Sequence, residues 1–271
     1  MNGMTIRTIV LNIAHVPFLL IWTGIAIVFT PFAFILYKII MKRTSPSAIR
    51  SIVWFYARVW IHFISLFMPI ERKTGKWDDY PQPCIIVGNH QSMTDLYFMA
   101  SLPIHDVAFV VRGWPFRIPF FGFYMRNAQY VDVEQYTPEG MFEHIQNLFR
   151  QKTSIMFFPE GTRHSDGHFG RFHSGAFRLS CQTGRPVVPL CFYNTGKMLP
   201  KGTTWLRITP VTVVALPPVY PHNFSGELGH IAMRKHVKLL MEKAILDIQQ
   251  QYKNSERVTL PYCIGANTTR L

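Results

Sequence analysis

From Ile9 to Tyr37 the chain carries no charged side chain, and this run constrains the fold more than any other feature. It exceeds the roughly 20 residues that cross a bilayer as a helix. Asn12 and His15 are its only strongly polar members. A secretory signal would have a shorter apolar region of roughly 7–15 residues and a small-residue cleavage site; neither is found. A helix apolar on every side offers no face to water, so the run is expected to meet lipid rather than form a core helix. Pro17, Gly24 and Pro31 leave two arrangements open, a single span or a hairpin entering one leaflet. Lys38, Lys42 and Arg43 come after the run, against Arg7 alone before it. This bias places the remainder of the chain on the cytoplasmic side.

After the break at Thr44–Ser47, Ile49, Ile52, Val53, Tyr56, Val59, Trp60, Phe63, Ile64 and Phe67 recur at helical spacing. Arg50 and Arg58 flank this stripe. An amphipathic helix on the membrane fits, as does a core helix of the next domain.

The formal charge is +13, from 28 basic and 15 acidic residues. Such an excess implies a polyanionic partner: nucleic acid, anionic lipid or a phosphate-rich substrate. Residues 1–70 contain no Asp or Glu, and basic groups beside apolar stretches suit an anionic membrane face. No nucleic-acid-binding module is recognisable, so no nucleic-acid partner is expected. The four cysteines (Cys84, Cys181, Cys191 and Cys263) form no CxxC pair; they read as small buried hydrophobes in a reducing compartment. No metal-ligand spacing is found, and His164, His168 and His173 read as a polar loop.

Lys73–Gln82 is polar and reads as a linker. The expected division is therefore residues 1–72 as membrane-anchoring helices and 73–271 as an α/β domain. Candidate strands are Cys84–Val87, Val107–Val111, Gln129–Val133, Ser154–Phe158, Val187–Phe192 and Leu206–Ala215. Helical patterns at Asp95–Ser101, Phe116–Arg126, Pro138–Gln151 and Gly175–Thr183 alternate with them, and a last helix runs from Ser225 to about Tyr252. Alternation of this kind indicates a sheet with helices packed on it, whose strand-end loops carry the sites.

Two segments carry chemistry. Gly88-Asn89-His90-Gln91-Ser92-Met93-Thr94-Asp95 lies directly after the first of these strands. Asp95 at a helix start can accept the Nδ1 proton of His90 and fix its tautomer. Nε2 is then free to take a proton from an attacking hydroxyl. Taken alone, the spacing also fits a helix cap with an incidental histidine. Phe157-Phe158-Pro159-Glu160-Gly161-Thr162-Arg163 lies at the end of a later strand. Arg163 offers a planar fork matched to phosphate. Thr162 adds a hydroxyl, Gly161 permits close backbone approach, and Glu160 could anchor Arg163 or bind an acceptor hydroxyl.

Together, NHxxxxD and FPEGTR in this order and spacing resemble the glycerolipid acyltransferases of the lysophosphatidic acid acyltransferase (PlsC-like) family. Ile118–Arg126 resembles the family's second block, whose Gly and Arg, here Gly122 and Arg126, shape the acceptor site. Val187-Val188-Pro189-Leu190 resembles the fourth, with Pro189 ending an apolar strand, and Phe172–Arg178 resembles the segment after the glutamate motif. The resemblance covers roughly residues 70–220. It implies an α/β fold with a mixed sheet flanked by helices, preceded by the membrane-associated helical segment. It also implies acyl transfer from acyl-CoA or acyl-carrier protein to the free hydroxyl of 1-acyl-sn-glycerol 3-phosphate. His90 and Asp95 would be catalytic, with Glu160, Gly161, Thr162, Arg163, Gly122 and Arg126 binding substrate. Backbone N–H groups in the first motif or near Gly161 would hold the oxyanion. No metal or cofactor beyond the acyl carrier is implied. Membrane phospholipids would be partners, and the location the cytoplasmic face of the inner membrane. Phe120, Phe121, Phe123 and Met125 are candidates to line an acyl channel. Arg171, Arg178 and Arg185 could meet a carrier's phosphates or acidic surface. Where the family often has an Asp-Arg pair after its second block, this chain has Asp132-Val133, and Arg112 or Arg117 replaces a frequent Lys; both departures bear on the acceptor. The alternatives are another lysolipid acceptor, such as lyso-ornithine lipid, and a non-catalytic lipid-binding protein on the same fold.

Overall fold

The computed structural model describes residues 6–164 and 168–264, with side chains except those of Trp77, Phe120 and residues 255–264. Cys263 and the Phe120 side chain, both singled out in the sequence, lie outside that description.

Seven strands form the sheet: β1 Ile70–Lys73, β2 Ile85–Gly88, β3 Val107–Val111, β4 Val131–Asp132, β5 Ser154–Phe157, β6 Val187–Tyr193 and β7 Val211–Ala215. Their order is β1-β7-β6-β2-β5-β3-β4, with only the β6–β7 pair antiparallel. The helices are α1 Ile6–Ile35, α2 Ser45–Ser65, α3 Asp95–Phe98, α4 Pro119–Asn127, α5 Pro138–Arg150, α6 Gly175–Thr183, α7 Thr195–Met198 and α8 Gly229–Ile264. The central strands are buried on both faces, which is why they read as unbroken apolar runs. Alternate residues go to opposite layers. Ile86 joins Trp60, Ile64, Phe98 and Phe192 under α2 and α3. Ile85 and Val87 join Ile145, Phe177, Met233 and Met241 under α5, α6 and α8.

The N-terminal run is one helix, not a hairpin. It continues through Pro17 and Pro31 and ends in a wider π turn at Leu36–Ile40. At about 1.5 Å per residue it lies along the domain rather than projecting from it. Near its start, Asn12 pairs with the backbone of Leu206, Nδ2 donating to the carbonyl at 2.8 Å and Oδ1 accepting from the amide at 2.8 Å. Midway, Trp60 donates to His15 Nε2 at 3.0 Å, and Trp22 donates to the Tyr56 carbonyl. Near its end, Thr30 meets the Tyr124 hydroxyl of α4 at 3.1 Å. Its opposite side exposes Ile13, Leu20, Ile21, Val28, Phe32 and Ile35.

The structure corrects the sequence expectations in four places. The boundary between residues 72 and 73 falls inside β1, and α2 packs into the same core as the sheet. β1 is an edge strand with a single partner, and three of its four residues are exposed, so it lacks the apolar pattern that marks inner strands. Arg50, expected beside the membrane, is 1% exposed. It pairs with Asp106 through Nε and donates to the Ala128 carbonyl and the Thr153 hydroxyl, both at 2.8 Å. These partners precede β3, β4 and β5, so Arg50 bolts α2 to the sheet edge opposite the motifs. Pro189 does not end its strand; β6 continues to Tyr193, and the Pro189 carbonyl accepts from Leu216. Leu206 is outside β7 because its backbone is taken by Asn12.

Candidate active site

The topology brings the two motifs together. β2 and β5 are adjacent and parallel, with Val87 opposite Phe157, so the loops leaving their carboxyl ends start side by side. Each loop then clasps the other. The His90 amide donates to Glu160 Oε1 at 2.9 Å, and the His90 carbonyl accepts from the His164 amide at 2.8 Å. On the other flank, Asn89 pairs with the Phe192 backbone, accepting from its amide at 2.7 Å and donating to its carbonyl at 2.9 Å. Both neighbours of β2 therefore fix the turn that presents His90.

The His90 ring lies against Phe158, centroids 4.2 Å apart and planes 27° apart. Its Nδ1 is 2.9 Å from Asp95 Oδ2. The same oxygen accepts from the amides of Gln91 at 2.7 Å and Ser92 at 2.8 Å. The Asp95 side chain is fully buried, while that of His90 is 17% exposed. With Nδ1 engaged, the carboxylate holds the tautomer that carries its proton on Nδ1. Nε2 makes no hydrogen bond among the described residues and is left as the ring's acceptor toward the exterior. Gln91 and Ser92 brace the loop from inside: Ser92 donates to the Leu199 carbonyl, and Gln91 Oε1 faces Thr195 and Gly196 of α7.

Glu160 occupies a place different from the one expected. Its side chain is 1% exposed, and its second oxygen accepts from the Gly170 amide at 2.7 Å. It faces protein, not the cleft, and no Glu160–Arg163 bond is formed among the described residues. Burial holds its carboxyl above the usual range, opposed by the two amide bonds and by the nearby histidines. Gly161 turns the chain at φ +67°, and Thr162 and Arg163 continue from it toward solvent. The Thr162 hydroxyl meets His164 Nε2 at 3.2 Å. The amides of His90, Gln91 and Ser92 all have acceptors, and the Gly161 amide donates to the Phe158 carbonyl, so these four are not the free oxyanion donors.

Gly122 and Arg126 act on each other's element. Arg126 Nη1 donates to the Phe116 carbonyl at 2.7 Å. That same oxygen sits where a Cβ on Gly122 would have to go. The pair shapes the turn into α4, and Arg126 remains exposed. Phe121 and Phe123 are exposed and Met125 half-buried. Among the described thiols, burial pushes Cys84 up to about 12 and raises Cys191 further, and Cys181 is also raised. No cluster of metal-ligating side chains occurs among the described residues. Phe158, Asn89 and Gly170 are not named as site residues from the sequence; position in the two motifs signals the first two, and no motif contains Gly170.

A histidine–carboxylate dyad presented at the carboxyl end of a parallel strand has the make-up of a general base that can take a proton from a hydroxyl. Comparison with known proteins sharpens this. Residues 72–193 match the family model described as Acyltransferase. It is 33% identical over 173 residues to the chloroplastic 1-acyl-sn-glycerol-3-phosphate acyltransferase BAT2 of Brassica napus, covering 61% of this chain and 50% of that protein. A 1-acyl-sn-glycerol-3-phosphate acyltransferase of Pseudomonas aeruginosa is 24% identical over 252 residues, covering 90% and 96%. The chain spans about half the length of the three curated relatives to which it is 32–33% identical. Its fold is that of the crystal structure of PlsC, the 1-acyl-sn-glycerophosphate acyltransferase of Thermotoga maritima, with a TM-score of 0.66 at 24% identity over 88% of this chain and 97% of that one.

Proposed function

We propose that the chain transfers a fatty acyl group from acyl-CoA or acyl-carrier protein to the free hydroxyl of 1-acyl-sn-glycerol 3-phosphate, forming phosphatidic acid. The observation that carries this is the His90–Asp95 pair, with Nε2 open to the exterior beside the loop bearing Arg163. The matched relatives bear names of that activity. His90 Nε2 takes the acceptor's hydroxyl proton while the oxygen attacks the thioester carbonyl. An ester C–O bond forms, the C–S bond breaks, and the proton passes to the departing thiolate. Asp95 stabilises the imidazolium formed in between. A positioned base of this kind supplies about 10²–10⁴-fold, and holding both lipids in register supplies much of the rest. Arg163 takes the acceptor phosphate, with Thr162 beside it. No metal enters the scheme.

The long apolar helix supports a membrane location. α1 is bound to the domain near both ends, so its exposed apolar side enters one leaflet while the domain rests on the surface, as an interfacial helix does. Lys38, Lys42 and Arg43 beside the apolar helix suit an anionic membrane face, and we take that face as the cytoplasmic side of the inner membrane.

The test is acyl transfer by the detergent-purified chain from labelled acyl-CoA to lysophosphatidic acid, wild type against His90→Ala. Phosphatidic acid from wild type alone supports the scheme. Product from His90→Ala at the wild-type rate removes His90 as base. Product only with lyso-ornithine lipid moves the acceptor to the alternative class.

A further inference from the structure

The segment between α2 and β1 is not used by the acyl-transfer scheme. A cavity of about 310 Å³ lies there, lined by Arg58, His62 and Ser65 of α2, by Ile70 and Arg72 of β1, and by Val59 and Ile61. Every ionisable group on its wall is basic. Strand alternation explains why: Arg72 and Ile70 face α2, while Glu71 and Lys73 point the other way and pair with each other at 3.1 Å. Among the described residues neither Arg58 nor Arg72 pairs with a carboxylate.

Two guanidiniums facing one cavity without a counter-ion repel each other, and each feels the other's charge. Arg58 is nonetheless held in place. One Nη1 proton goes to the Ala100 carbonyl at 2.9 Å, and the group lies over the Trp54 ring at 5.1 Å. Its pKa is lowered by burial and then by Arg72. The Ser65 hydroxyl already donates to the His62 carbonyl at 2.6 Å, so the donors suited to a tetrahedral oxyanion are the fixed arginine and the second beside it.

We infer that α2 and β1 form an anion site for a phosphate group, distinct from the catalytic cleft and sharing no residue with it. The phosphate can come from two sources, an anionic lipid headgroup or free phosphate. The exposed Phe55 and Leu66 beside α2 and the apolar side of α1 favour the headgroup, and that preference rests on the membrane placement under the proposed function.

The experiment uses the full chain in uncharged detergent. Inorganic phosphate is titrated against chloride at constant ionic strength, and the thermal midpoint is tracked for wild type, Arg72→Gln and Arg72→Lys. A parallel arm measures flotation with phosphatidylcholine vesicles with and without phosphatidic acid. Removing one charged donor set should weaken phosphate binding at least about tenfold, with Arg72→Lys in between. Loss in both arms, or in the vesicle arm alone, assigns the headgroup. Loss of the phosphate response with unchanged flotation assigns free phosphate. Equal responses of wild type and Arg72→Gln in both arms overturn the site. Arg72 is exposed, so Arg72→Gln folds with a wild-type midpoint in chloride; should it not, the same comparison is read from Arg72→Lys. Acyl transfer by Arg72→Gln in detergent stays at the wild-type rate, so failure here is distinct from failure of the acyltransferase reading.

Discussion

Replacing Asp95 with Asn separates two jobs that one oxygen performs. Oδ2 braces the loop through the amides of Gln91 and Ser92, and it orients His90. An asparagine oxygen in that place keeps all three hydrogen bonds and loses only the charge. The new amide NH2 falls at Oδ1, which is buried without a partner, so stability drops by about 1–3 kcal/mol. The catalytic loss comes from the imidazolium. Two unit charges at the observed 2.9 Å attract by about 6 kcal/mol at an effective dielectric of about 20. The partial exposure of His90 and the retained hydrogen bond roughly halve the difference. About 3 kcal/mol remains, a fall in kcat of roughly 10²-fold. Asp95→Ala removes the brace as well and leaves two buried amides without acceptors, a further cost of about 1–3 kcal/mol each. The assay is steady-state acyl transfer with a thermal midpoint measured on each variant. A kcat for Asp95→Asn within about threefold of wild type, with the fold intact, would refute the charge argument and reduce Asp95 to a loop brace.

Glu160→Gln can satisfy only one of the His90 and Gly170 amides, so the midpoint falls by several degrees and kcat falls with little change in acceptor KM; a pure KM effect would instead make Glu160 a substrate ligand. Because burial holds the Glu160 pKa above its unfolded value, its contribution is fully present below the unfolded pKa and lost as pH rises through the folded one. Denaturation curves over the carboxylate range should therefore slope downward with pH more steeply in wild type than in Glu160→Gln. Arg50→Met strands the Asp106 carboxylate and should cost about 3–5 kcal/mol in chemical denaturation, with no specific effect on acceptor KM. Gly122→Ala drives a methyl into the Phe116 carbonyl, and the displaced turn costs about 1–3 kcal/mol, read as a lower thermal midpoint.

The inner strands are legible because their signal is local, and the two motifs because they occur together in one order and spacing. An apolar run buried on both faces needs no partner to be seen, and β3 and α6 were placed to the residue. What failed was non-local. Arg50 reads as a surface charge until Asp106, 56 positions on, is brought beside it. Glu160 reads as a ligand until its two amide partners, 70 and 10 positions away, fill its oxygens. β1 presents one apolar residue in four because it is an edge strand with three of its four residues exposed. Within the site, the five-residue spacing alone fits a helix cap as well as the His90–Asp95 contact, and only the resemblance carried by the two motifs together points to the pair; the Phe158 stack and the Asn89 pairing depend on strand register.

Asn12 bears on how an almost featureless helix finds its place. Isoleucine, leucine and valine side chains are nearly interchangeable in contact energy, so a helix made of them can rotate or slide by a turn at little cost. A buried amide that must match one backbone donor and one acceptor on Leu206 admits a single azimuth and a single offset. In this chain the greasy surface supplies adhesion, and the Asn12 pair, backed by the His15, Trp22 and Thr30 contacts, supplies the address, much as an asparagine fixes register in a coiled coil.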